Sequence, residues 1–77
     1  MTLREFRKAR GLSLEEVAYL AGVDIATVSR VERGLSQPRP WTAIRLARAL
    51  GTSPSRIRAM LAAGASDEGN EAKAATG

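Results

Sequence analysis

The stretch DIATVSRVERG, residues 24–34, sets two arginines beside short polar and small side chains on a segment with regularly spaced apolar residues. Ile25, Val28 and Val31 recur every three residues, which makes one stripe along a helix and marks a face pressed against a core. Around them lie Ala26, Thr27, Ser29, Arg30 and Arg33, with Glu32 the one opposing charge after Asp24 at the start of the stretch. Such a face suits an anion or the hydrogen-bonding edge of a base. The same residue types also make an ordinary solvated helix surface. Bond-making chemistry has little to work with. The chain has no His and no Cys, which excludes imidazole catalysis, thiolate nucleophiles, disulfides and the usual zinc sites. A lysine-activated serine would need Lys8 or Lys73, and neither forms a recognisable pattern with a serine. The glycines are scattered at helix ends and in the C-terminal stretch, so no phosphate cradle is evident. The expectation is a binding module without cofactor or metal, and not an enzyme.

The elements that must position this segment are short helices. Thr2 with Glu5 fits a capping box opening helix one, about residues 3 to 10, with Leu3 and Phe6 on its apolar face and Gly11 at its end. Ser13 with Glu16 repeats the signal for helix two, about 14 to 21, and Leu12 can staple onto Val17. That helix buries Val17, Ala18 and Ala21 and ends at Gly22. Val23 anchors the turn, Asp24 caps helix three, and Gly34 closes it. Two short helices joined by so tight a link make a helix-turn-helix. Pro38 and Pro40 keep residues 35 to 40 from being helical throughout. Helix four is expected from Trp41 to Leu50, with Trp41, Ile44 and Ala47 on one side, Leu46 and Leu50 on the adjoining edge, and Arg45 and Arg48 turned away. Ser53 caps helix five, Pro54 sits in its first turn, and Ile57, Met60 and Leu61 look inward. After Gly64 no large apolar residue remains. The sequence thus predicts an all-α compact bundle of five short helices over residues 1–63 and a disordered tail over 64–77.

Charge is unevenly placed along the 77 residues. Residues 1–61 hold eleven Arg or Lys against five Asp or Glu, a net of +6, and residues 62–77 hold one against three, a net of −2, which together give +4. A basic, arginine-rich domain suits a polyanion, and nucleic acid is the common case. Neither a signal-length apolar run at the N-terminus nor a window approaching membrane-spanning length is present. A soluble cytoplasmic protein with no membrane partner is expected.

The ordered run GLSLEEVAYLAGVDIATVSRVERG, followed by LARALG and a Ser-Pro turn, resembles the five-helix DNA-binding domain of the lambda phage repressor and Cro family, also called the xenobiotic-response-element family. The resemblance covers about residues 2 to 62. It implies a lambda-repressor-like fold and sequence-specific binding of double-stranded DNA by a small transcriptional regulator, expected to be a repressor acting as a homodimer on an inverted repeat. Helix three would enter the major groove with Ile25, Ala26, Thr27 and Arg30 near base edges. Ile25 has a competing assignment, since its spacing to Val28 fits burial. No amide side chain occurs in DIATVSR, so an adenine-reading fork is not available from this helix.

The resemblance also implies phosphate contacts. Ser13 and Leu14 lie at the start of helix two, where several relatives place a glutamine at the position of Leu14; here only backbone N–H groups could serve. Ser29 and Arg33 follow on helix three. In the loop, Ser36, Gln37, Arg39 and Trp41 would track the DNA backbone, with Arg39 alternatively in the minor groove and Trp41 alternatively a core anchor. Arg7 and Glu32 match a family ion pair joining helix one to helix three. Ile57, Met60 and Leu61 are candidates for the dimer contact, against simple burial. The other basic residues, Arg4, Lys8, Arg10, Arg45, Arg48, Arg56 and Arg58, cannot all face one groove. A different partner is conceivable on the same fold: a small toxin protein, with this chain as its antitoxin.

Overall fold

Local capping decides where this chain turns. The Thr2 hydroxyl accepts the Glu5 N–H at 3.1 Å while the Glu5 carboxylate accepts the Thr2 N–H at 2.8 Å. Ser13 and Glu16 make the same reciprocal pair at 3.0 and 2.9 Å. Each box satisfies two N–H groups that a helix start would leave open. The helices that follow are α1, Leu3–Ala9, and α2, Leu14–Ala21. Gly22 ends α2 with φ of 72°, and the Val23 N–H returns to the Ala18 carbonyl at 3.0 Å. A side chain there would be strained, which is why the turn into α3, Ile25–Glu32, falls at glycine. Asp24 occupies the cap position of α3 but makes no side-chain hydrogen bond to it.

The computed structural model describes residues 1–63, in five helices. The expectation of a disordered tail over 64–77 lies outside these residues. After α3 the proline-bounded loop leads to α4, Pro40–Leu50, in which Pro40 takes the first helical position, one residue earlier than the expected start at Trp41. Proline is at no disadvantage there, since its missing N–H has no intrahelical partner to lose. The fifth helix, α5, runs from 54 to 63, and its Arg56 N–H donates to the Ser53 hydroxyl at 3.2 Å.

The core gathers Leu3 of α1; Val17, Ala18 and Ala21 of α2; Val28 and Val31 of α3; Leu46, Ala47 and Leu50 of α4; and Ile57 and Met60 of α5. Each large aliphatic side chain taken out of water there contributes about 1.5–3 kcal/mol. Trp41 departs from the expectation, and Ile57 and Met60 take the burial alternative to a dimer contact. Trp41 is 73% exposed and anchors nothing in the core. The inward stripe of α4 is Ala43, Leu46, Ala47 and Leu50, and Trp41, two residues before Ala43, stands about 200° round the helix from it. Ile57 and Met60, candidates for a dimer contact, are 0% and 6% exposed, closed inside the bundle. Only Leu61 of that set keeps partial exposure.

Candidate nucleic-acid interface

α3 is fixed from its inner side. Val28 and Val31 are fully buried, and beside them Glu32 receives Arg7 of α1 in a two-point contact, Nε to Oε2 at 2.5 Å and Nη2 to Oε1 at 3.3 Å. The Arg7 Nη1 also donates to the Leu12 carbonyl at 2.7 Å. Both side chains are under a tenth exposed. This pair bolts α1 to α3 and, through Leu12, to the turn before α2.

The outer side of the same helix is unengaged. Ala26, Arg30 and Arg33 are exposed, and Ile25 is 46% exposed, so the apolar stripe is cut short and Ile25 joins the outer side. Thr27 and Ser29 are half-buried at its margins. Ala26, Arg30 and Arg33, spaced by four and three, share one line along the helix. Neither Arg30 nor Arg33 forms an ion pair or a side-chain hydrogen bond among the described residues.

Where α3 faces α1, a surface cleft of about 190 Å³ opens, lined by Arg4, Arg7, Leu14, Ser29, Glu32 and Arg33. It gathers three of the residues expected at phosphate, Leu14, Ser29 and Arg33, with the Arg7–Glu32 pair. Arg4 also lines it. In the sequence Arg4 is one basic residue among several, and its one signal is the three-residue spacing to Arg7. The exposed Ser13 does not line the cleft, and its hydroxyl already accepts the Glu16 N–H. Ser36, Gln37, Arg39 and Trp41 are all exposed between α3 and the first turn of α4, outside the cleft.

Local electrostatics separates structural from available charge. The Ser13 backbone N–H, and then its hydroxyl, hold the Glu16 carboxyl below the usual carboxylate range, and Thr2 does the same for Glu5. Arg10 lies over the Phe6 ring, 4.8 Å from its centre, and its Nη2 donates to the Gly51 carbonyl at 3.4 Å. Arg45 donates to the Gly22 carbonyl at 3.4 Å. These two cations serve helix C-termini, whose last carbonyls lack intrahelical donors.

A short helix clamped by its inner side and presenting an arginine-bearing outer side, preceded by a tightly turned partner helix, defines a helix-turn-helix binding module. Residues 1–60 match the helix-turn-helix domain family, and the chain belongs to it. An uncharacterized HTH-type transcriptional regulator from Methanothermobacter thermautotrophicus is 45% identical over 49 residues, covering 64% of this chain and 71% of that protein. The uncharacterized HTH-type transcriptional regulator RghRB of Bacillus subtilis is 41% identical over 49 residues, covering 62% of this chain and 35% of the relative, so the match spans about a third of that protein's length. No solved structure matches the chain at a significant level. The chain has neither His nor Cys, and no group of potential ligands among the described residues could hold a metal. Among those residues no helix is long and apolar enough to cross a membrane.

Proposed function

We propose that this chain is a transcriptional regulator that reads double-stranded DNA with α3 in the major groove, in a lambda-repressor and Cro-type arrangement. The observation that carries the proposal is the division of α3, with Val28, Val31 and Glu32 engaged and Ala26, Arg30 and Arg33 left exposed without partners among the described residues. The names of the two relatives as transcriptional regulators support it. In this reading Arg30 makes a forked contact to guanine O6 and N7, Ala26 and Ile25 meet thymine methyl groups, and Thr27 lies at the margin of the base contacts. Arg33 and Ser29, the backbone at Ser13 and Leu14, and the exposed loop residues Ser36, Gln37, Arg39 and Trp41 hold phosphates and set the register.

One eight-residue helix reads only a few base pairs. Two copies on half-sites about one helical turn apart supply the missing affinity, and a repressor acting as a homodimer on an inverted repeat is the form we propose. Because Ile57 and Met60 are buried, the pairing surface lies elsewhere, with Leu61 the one earlier candidate still reachable. The decisive experiment is selection of bound duplexes from a random pool by the purified protein. An enriched inverted repeat with a guanine at a fixed place in each half-site is expected. Recovery of no motif above the starting pool would refute the reading.

A further inference from the structure

We propose that Arg4, together with Arg33, clamps one DNA phosphodiester in the cleft between α1 and α3. The inference deepens the DNA-binding reading above and rests on it. Three guanidinium groups and one carboxylate line this cleft, with Arg4 and Arg7 on α1 and Glu32 and Arg33 at the end of α3. Both Glu32 oxygens accept from Arg7, whose charge balances the carboxylate, and three of the five Arg7 N–H donors are committed to Glu32 and the Leu12 carbonyl. The uncompensated charge therefore sits on Arg4 and Arg33.

Both are exposed, and neither has an ion pair or a side-chain hydrogen bond among the described residues, unlike Arg10 and Arg45. Two like charges across one cleft repel each other, and an anion placed between them removes that repulsion. Leu14 also lines the cleft and supplies no side-chain donor, so the side-chain donors an anion meets there are the arginines and the Ser29 hydroxyl. A volume of about 190 Å³ falls below the roughly 300 Å³ at which sites for drug-sized ligands begin. Arg33 stands three residues beyond Arg30, so the cleft adjoins the far end of the reading face, where the DNA backbone passes if the first half of α3 is in the groove.

The test compares wild type, Arg4→Gln, Arg33→Gln and the double variant on the selected operator and on a random-sequence duplex over a range of salt. Arg4→Gln is expected to weaken binding to both duplexes alike, by about three- to tenfold, and to lower the slope of log affinity against log salt by about 0.9 per half-site. Its thermal stability and base preference should match wild type. A shared phosphate makes the double variant no worse than the poorer single variant by more than about twofold. Leu14→Gln, which adds an amide donor to the same cleft, should restore part of the affinity lost in Arg4→Gln. If Arg4→Gln leaves affinity and salt slope unchanged while wild type binds the operator with its full salt dependence, the clamp is wrong and the DNA-binding reading stands. Fully additive losses would overturn the shared phosphate. Wild type that binds neither duplex would bring down both proposals.

Discussion

The inner and outer sides of α3 use the same chemistry for opposite ends. Inside, Glu32 holds the Arg7 guanidinium of α1 against α3, away from water and on the side of the helix that buries Val28 and Val31. Outside, Arg30 and Arg33 carry the same guanidinium group with no partner among the described residues. An arginine whose donors are spent in a desolvated pair works as a bolt; one whose donors remain open is available to a ligand. Composition does not distinguish them. The difference teaches that eight residues can separate stability from recognition by less than half a turn of helix.

The largest expected break comes from the inner side. Arg7→Ala or Glu32→Ala strands a buried charge and should cost about 3–5 kcal/mol, enough to unfold most of a domain of this size at physiological temperature. Replacing both, as Arg7→Met with Glu32→Leu, should be far milder than the sum of the single changes. Urea titration followed by circular dichroism measures all three, and equal damage from the double replacement would show that the pair does more than satisfy itself.

On the outer side the effect should move from folding to binding. Arg30→Ala is expected to cost about 1–3 kcal/mol on the preferred site and to relax selection at one base pair per half-site, with the melting temperature held. Arg33→Ala should lower affinity without changing which base is chosen. A panel of single-base operator variants separates the two, and an altered preference in Arg33→Ala alone would reverse their roles.

Trp41 sharpens the comparison from another helix. Being 73% exposed, its replacement by Ala should shift stability by no more than about 0.5 kcal/mol. As the single tryptophan, it should be open to acrylamide quenching in the free protein and shielded in the DNA complex. Shielding in the free protein would return it to the core.

The smallest effect concerns pH. The Ser13 backbone N–H and hydroxyl lower the Glu16 carboxyl below its ordinary value of 4.5. A depressed folded-state value means the stabilisation is present above the ordinary carboxylate value and is lost as pH falls through the lower one. Thermal melts of wild type should therefore decline as the solution becomes acidic. Glu16→Gln, which can keep the reciprocal hydrogen bonds without the titration, should show a shallower decline, and an identical acid limb would remove Glu16 from the account.

Much of this architecture is written locally. The reciprocal Thr2–Glu5 and Ser13–Glu16 bonds span three residues, and the positive φ at Gly22 and Gly51 closes two helices in place. The prolines mark where helix gives way to loop and, at Pro40, where helix resumes. Such signals act within one turn, so they can be read without knowing what lies opposite. The paired Val28 and Val31 likewise identify the inner side of α3 by their spacing alone.

What one turn cannot determine is which neighbour an amphipathic position meets. Ile25 fits the buried stripe by spacing, yet it stands at the first residue of α3, and the bundle leaves it nearly half exposed. Trp41 fits the apolar side of α4 on hydrophobicity, while α2 packs against the side that carries Ala43, Leu46, Ala47 and Leu50. Ile57 and Met60 read equally as a core or as a dimer surface until the other helices close over them. The sharpest case is charge. Arg4, Arg7, Arg10, Arg30, Arg33 and Arg45 are one residue type in sequence; the family resemblance pairs Arg7 with Glu32 across 25 residues, and the tertiary structure adds the two that serve helix-end carbonyls and brings Arg4 to the candidate interface. The sequence by itself determined the helices and their order, because capping and periodicity are short-range. Which arginines hold the fold and which are free to bind was decided by packing between segments far apart in the chain.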